Sequence, residues 1–335
     1  MDVMRLFGHY YHKSPARRLV FIFVISVLFA AAFPLFGSDA DAPSSSSAFM
    51  NKPLLPLEIF ITGRQAEDGF KVETILKNVC ERSLSGVLQW QLRPRGRVEI
   101  PPQPFSGLKP NEELTTSSSL LAGNREGRLF AAAEISGERL IENSIGLMPM
   151  PIRMASPKVD GCLSEWMDVP ELKLAGIEPN DDLFHQFQFW WTDDALYVAA
   201  HIRDGAAQAR RRLGLYLGLE GPSRRQIMGA GDFCIEMYPI EEKGIGSISI
   251  SGNGFERKAG SGAIKIQEDG FTMEAQIPIG ELGGWKPRRN CMIGFNLVLD
   301  EESDSAMCPP RKILRWNGSS DEYNQPLRWG LAIIY

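Results

Sequence analysis

The side chains able to do covalent chemistry are few, and their spacing argues against an active site. The chain carries four histidines, at positions 9, 12, 185 and 201. His9 and His12 precede a long apolar run, so only His185 and His201 belong to sequence with a folding pattern. Neither has a Ser or Cys beside it in a nucleophile elbow such as GxSxG. His201 reads as a sheet-face residue close to a strand end at Asp204. Carboxylates are adjacent at Asp181-Asp182, Asp193-Asp194, Glu241-Glu242 and Asp300-Glu301-Glu302. A glycosidase needs two carboxyl groups held across a cleft at a defined separation, whereas neighbouring acids in a loop are solvated turns. Asp300, Glu301 and Asp304 form a cluster with calcium-ligand character, because calcium takes grouped carboxylate oxygens. Their spacing does not match an EF-hand loop. The arginines at 210–212 and 224–225 read as loop charges able to meet an anionic polysaccharide or lipid headgroups. The expectation is a protein with no catalytic residues and with calcium as the one cofactor the sequence suggests.

The elements that must position any site are organised around His185–Asp204, HQFQFWWTDDALYVAAHIRD. Phe187, Phe189 and Trp191 alternate with Gln186, Gln188 and Trp190, the period of two of a strand. Thr192-Asp193-Asp194-Ala195 is a turn, with Asp expected to bond its own backbone. The return strand puts Leu196, Val198, Ala200 and Ile202 on one face and Tyr197, Ala199 and His201 on the other. Leu196 should then face Trp191, and Tyr197 should face Trp190. A hairpin apolar on both faces belongs inside a β-sandwich, covered at least in part on its second side.

With 335 residues, 44% of them hydrophobic, the chain is long enough for two domains with ordinary cores. Thirty-six Lys and Arg against 41 Asp and Glu give no electrostatic footprint for nucleic acid. The five cysteines, Cys80, Cys162, Cys234, Cys291 and Cys308, include no CxxC pair, which argues against a zinc or thioredoxin-like site. An odd number leaves at least one unpaired within the chain. Cys291 and Cys308 could bridge a hairpin, or remain buried free thiols.

Lys13, Arg17 and Arg18 precede Leu19–Phe36, an apolar run of roughly 18 residues. This is the pattern of a signal peptide or a membrane anchor, with the positive side kept in the cytoplasm. A Ser-rich linker, 39–48, follows. Residues 1–49 are therefore read as signal or anchor helix plus linker, and the rest of the chain as exported. From Pro53 to Met150 come short strands at 57–61, 70–77, 87–92, 129–135 and 140–147, separated by turn residues. The Lys77-Asn78 strand end, the strand bearing Trp90 and the Leu108-Lys109-Pro110-Asn111-Glu112 turn resemble the small immunoglobulin-like domains that flank catalytic or binding modules in bacterial exported proteins. Trp90 reads as core, and no chemistry stands out in this region, taken as 50–153.

From Met154 onwards six pieces occur in a telling order. Asp160-Gly161 followed by Glu165-Trp166 opens the series. The hairpin follows, with Trp191, Asp193, Leu196, Tyr197 and Val198. Ile235-Glu236 lies in a strand, and Gly270-Phe271 precedes Glu274-Ala275-Gln276-Ile277-Pro278. Ile293-Gly294-Phe295-Asn296 comes before Asp300, and Pro326-x-x-Trp329-Gly330 closes the series. In this order the segments resemble the family 9 carbohydrate-binding module. The resemblance covers 154–335 and implies a β-sandwich of two antiparallel sheets. In sugar-binding members of that family two Trp rings clamp the sugar. One of them should precede the Ile235-Glu236 strand, but 224–232, RRQIMGAGD, has no aromatic. The Arg expected on the next strand is replaced by GSISISGNG, 246–254. Tyr323 takes the place of the second Trp.

The expected architecture is all-β: an N-terminal helix, an immunoglobulin-like sandwich and a family 9-like sandwich. The expected carbohydrate site is the final loop, with Tyr323 as stacking platform, Asn324 and Gln325 as hydrogen-bonding groups and Trp316 as a wall. Trp166, Trp191 and Trp329 should be core. The resemblance implies an exported, non-catalytic carbohydrate-binding protein, degenerate at half of its clamp, whose partner is a polysaccharide. The alternative is a cell-envelope scaffold that binds protein with the same sandwich, held to the membrane by an uncleaved N-terminal segment.

Overall fold

The computed structural model describes residues 55–66, 69–93, 101–119, 126–135, 139–175, 184–203, 211–240, 245–252, 255–258, 260–268, 270–301, 312–318 and 324–335. The signal or anchor segment, its linker, Asp304, Cys308 and Tyr323 lie outside them.

The first half contributes seven strands: β1 (Leu57–Ala66), β2 (Gly69–Asn78), β3 (Leu84–Arg93), β4 (Gln103–Leu108), β5 (Glu113–Ser119), β6 (Gly127–Ile135) and β7 (Arg139–Met150). The second contributes twelve: β8 (Glu171–Ala175), β9 (Phe184–Trp191), β10 (Ala195–Arg203), β11 (Arg211–Gly218), β12 (Asp232–Ile240), β13 (Ile245–Gly252), β14 (Phe255–Lys258), β15 (Ser261–Gln267), β16 (Gly270–Pro278), β17 (Cys291–Glu301), β18 (Lys312–Arg315) and β19 (Gly330–Ile334). The helical pieces among the described residues are short 3-10 turns such as Leu163–Trp166. The all-β architecture expected from the strand periodicity is what the described residues adopt.

Strands β1, β2 and β5 form one small sheet, and β15, β16, β10, β9 and β8 form another. Between them runs a long sheet in the order β14-β13-β12-β11-β17-β19-β7-β6-β3-β4, with β18 paired to β17. It crosses from the second half of the chain to the first through the parallel pair β19 and β7, Leu331 facing Leu147 and Ile334 facing Met150. Successive strand residues point to opposite faces, and this decides where the two cores sit. Ile145 and Leu147 face the core under β1 and β2, together with Met292 and Leu331. Met148 and Met150 face the core under β9 and β10, together with Ile293, Ala332 and Ile334. The two cores therefore occupy opposite faces of one continuous sheet.

The hairpin behaves as its sequence dictates. Leu196 pairs with Trp191 and Tyr197 with Trp190. Phe187, Phe189, Trp191, Leu196 and Val198 are buried in the main core. The second face is covered by the segment before β8, where Trp166 and Val169 pack on Trp190, Tyr197 and Ala199. The turn is held differently from expectation. The Thr192 hydroxyl, not an Asp carboxylate, accepts from the Ala195 amide at 3.1 Å and the Asp194 amide at 3.3 Å. Both aspartates stay exposed. Trp166, Trp191 and Trp329 are buried, as their registers required. The arginine run at 210–212 is not confined to a loop, because Arg211 and Arg212 begin β11. After them Leu213, Leu215 and Leu217 alternate with Gly214, Tyr216 and Gly218, and the low strand propensity of the two glycines hides the strand in the sequence.

Candidate functional site

The final turn of the chain meets the first half at a cleft of about 500 Å³. One wall is Phe60 and Ile61 of β1 with Asn143 and Ser144 of β7. The opposite wall is Asn317-Gly318, just after β18, and Leu327-Arg328-Trp329, just before β19. Arg128 of β6 lies in the lining as well.

Asn317 fixes the geometry. Its Oδ1 accepts from the Gly146 amide at 3.0 Å and from Arg128 Nη1 at 3.2 Å, and its Nδ2 donates to the Arg328 carbonyl at 2.7 Å. Behind it, Asn296 Oδ1 accepts from the Asn317 amide and Asn296 Nδ2 donates to the Asn317 carbonyl, both at 3.1 Å. Arg128 also donates Nη1 to Ser144 Oγ at 3.2 Å and Nη2 to the Trp316 carbonyl at 2.7 Å. Burial lowers the pKa of Arg128, opposed by the charge of Glu126. Burial raises that of Glu126, opposed by a hydrogen bond from Trp316 and by Arg128. The rim is tied down from a third side. Leu327 donates its amide to the Arg225 carbonyl at 3.0 Å, and Arg224 pairs with Glu113 of β5 at 3.1 Å. Asp232 holds this 221–231 loop, accepting from Arg225 Nη2 at 2.9 Å and from the Gly229 amide at 2.7 Å.

The cleft borders both ends of the loop that the sequence singled out. Asn324 is exposed and Gln325 half-buried, while Tyr323 lies outside the described residues. Trp316 is only 5% exposed. Its ring sits edge-on to Phe295 at 5.0 Å, and its Nε1 donates to Glu126 Oε1 at 3.3 Å. A Cβ on Gly146 or Gly330 would come within 2.5 Å or 2.2 Å of the indole, so those two glycines make its slot. Trp316 backs the cleft through its carbonyl rather than presenting a ring face to it.

The sequence also missed a cluster on the outer face of the long sheet. Arg212 donates Nη2 to Asp300 Oδ2 at 2.8 Å and Nη1 to Glu236 Oε1, while Tyr238 donates its hydroxyl to Glu236 Oε2 at 3.0 Å. Burial, followed by the charge of Glu236, raises the pKa of Tyr238. Asp300, offered above as a calcium ligand, is completely buried and committed to Arg212. The Glu301 side chain and Asp304 lie outside the described residues. Among those residues, no group of three or more His, Cys, Asp and Glu could hold a metal ion. The register was the missing signal: Arg212 faces Asp300, and Gly214 faces Glu236.

No family model matches the sequence, and no curated protein matches it. Solved structures do. A carbohydrate binding module family 9 from Caldicellulosiruptor kristjanssonii in complex with cellotriose is 18% identical, over 56% of this chain and 93% of that one, with a TM-score of 0.40. The same organism's module in complex with glucose is 19% identical, over 56% and 95%, with a TM-score of 0.37. A provisionally assigned carbohydrate-binding protein from Bacteroides uniformis is 10% identical, over 56% and 99%, with a TM-score of 0.38. Each of these matches spans about half of this chain.

Proposed function

We propose that this protein is a non-catalytic carbohydrate-binding protein whose sugar site is the cleft at the final turn. The observation that carries the reading is the composition of that cleft. A ligand site is a concavity of about 300–1,000 Å³ with a few placed polar groups. This one offers about 500 Å³, with the Asn143 amide, the Ser144 hydroxyl and two guanidinium groups among its lining residues and Phe60 on one side. Sugar hydroxyls need fixed polar partners, and the CH-rich faces of a sugar need an aromatic surface. Tyr323 supplies the stacking platform in this reading, with Asn324 and Gln325 at the mouth. With a single platform, affinity falls in the millimolar range, about −4 kcal/mol. The basic residues Arg17 and Arg18 before Leu19–Phe36 support export, and fractionation of the full chain away from the cytoplasm tests that placement.

The test of the site is titration of glucose, cellotriose and other oligosaccharides against the wild-type protein and Tyr323→Ala. A sugar that binds the wild type and is lost in the variant supports the site. A sugar bound equally by both places it elsewhere. If no saccharide binds at millimolar concentration, the scaffold reading replaces this one.

A further inference from the structure

Resting on the proposed carbohydrate site, we infer that the cleft takes an acidic saccharide, with the carboxylate of a uronic-acid residue set against the guanidinium of Arg128. The protein as a whole is acidic, with net charge −5. Yet the charged side chains among the described lining residues are Arg128 and Arg328, and no carboxylate is among them. The two cations come from opposite walls, one from β6 and one from the turn before β19.

Arg128 carries the argument. It is partly buried, where a charge without a counter-ion is costly. Its hydrogen bonds go to Ser144 Oγ, Asn317 Oδ1 and the Trp316 carbonyl, all neutral acceptors. These use three N–H groups, and a guanidinium carries five, so donors are left for a ligand. The acid whose field reaches it, Glu126, accepts from Trp316 Nε1, and burial disfavours its ionised form. The chain thus spends three neutral acceptors on holding a cation at the cleft wall. A carboxylate is the group that matches it, because its two oxygens can take a paired, charge-assisted set of N–H bonds. The first half of the chain is then part of the specificity site, through Arg128, and not a spacer.

The experiment is calorimetric titration of the full chain with trigalacturonate and cellotriose, trisaccharides of the same length that differ in charge as well as in linkage and ring configuration, at low and high salt, the salt series isolating the charge. The expected result is at least about tenfold tighter binding of the acidic trisaccharide, shrinking as salt screens the pair. Arg328→Gln and Arg128→Gln should each bring the two ligands closer together, with the fold checked by circular dichroism. If Arg128→Gln does not fold, Arg328→Gln and the salt series decide the matter. Equal or tighter binding of cellotriose, with no salt dependence, overturns the inference and leaves the carbohydrate reading standing. Acidic binding that neither variant nor salt weakens overturns it too. If neither trisaccharide binds at millimolar concentration, both fail together.

Discussion

Glu274 shows how a single side chain can define a corner of this fold. It is 1% exposed. One carboxylate oxygen accepts the amides of Asp160 and Gly161 at 2.9 and 2.7 Å. The other accepts Trp166 Nε1 at 2.6 Å. Three donors aimed at one carboxylate hold the 157–169 cover onto the hairpin. Glu274→Gln would turn an NH2 toward donors, so the variant should lose about 1–3 kcal/mol, read as a lower urea midpoint with unchanged slope. Trp166→Phe, which removes one donor and keeps the ring, should cost less. A second expectation at this scale concerns thiols. Burial pushes the Cys234 thiol up to about 11, and burial raises Cys291 as well. Cys80 and Cys162 are half-buried and free. At pH 8, iodoacetamide followed by peptide mass mapping should find Cys234 unlabelled in the native protein, because the thiolate is the nucleophile. Labelling should appear once denaturant is added. Rapid native labelling of Cys234 would contradict the burial described.

Among the elements, β11, β12 and β17 are tied on their outer face by Arg212 between Glu236 and Asp300. Replacing a buried ion pair with apolar groups can be neutral, but removing one partner strands the other. Arg212→Ala takes the guanidinium away from the fully buried Asp300 carboxylate and from Glu236, so about 3 kcal/mol should be lost in thermal or urea unfolding. The double variant Arg212→Leu with Asp300→Leu should recover part of it. A variant as stable as wild type would show that the pair contributes nothing. The same strands illustrate how far the sequence reaches. The clean alternation of β9, β10 and β16 made them legible, including the facing of Trp191 and Leu196. Strands β5, ELTTSSS, and β13, IGSISISG, are polar or glycine-interrupted. They form because neighbouring strands supply hydrogen-bond partners, a condition that local propensity does not record.

For the whole molecule, the decisive feature is the sheet shared by both halves. Strand β7 contributes Leu147 to one core and Met148 to the other. A fragment of residues 154–335 lacks β7, leaving β19 without its parallel neighbour and Leu331 and Met292 without their cover. Such a fragment should be less stable than 50–335 and more prone to associate through the freed edge. Comparing thermal unfolding and size-exclusion profiles of the two would check this, and equal stability would refute it.

By itself the sequence determined the strand periodicity, the hairpin pairing, the burial of Trp166, Trp191 and Trp329 and the absence of a nucleophile motif, because each follows from local alternation or from residue type. It also placed a candidate site at the final loop. It could not supply the opposite wall of the cleft. Asn143 and Arg128 lie far from Asn317 in sequence, and the parallel pairing of β7 with β19 brings them together. Nor could it pair Arg212 with Asp300, 88 positions apart. Those contacts are set by sheet order and register, which the tertiary structure decides because hydrogen bonding between strands depends on which strands meet and not on their own composition.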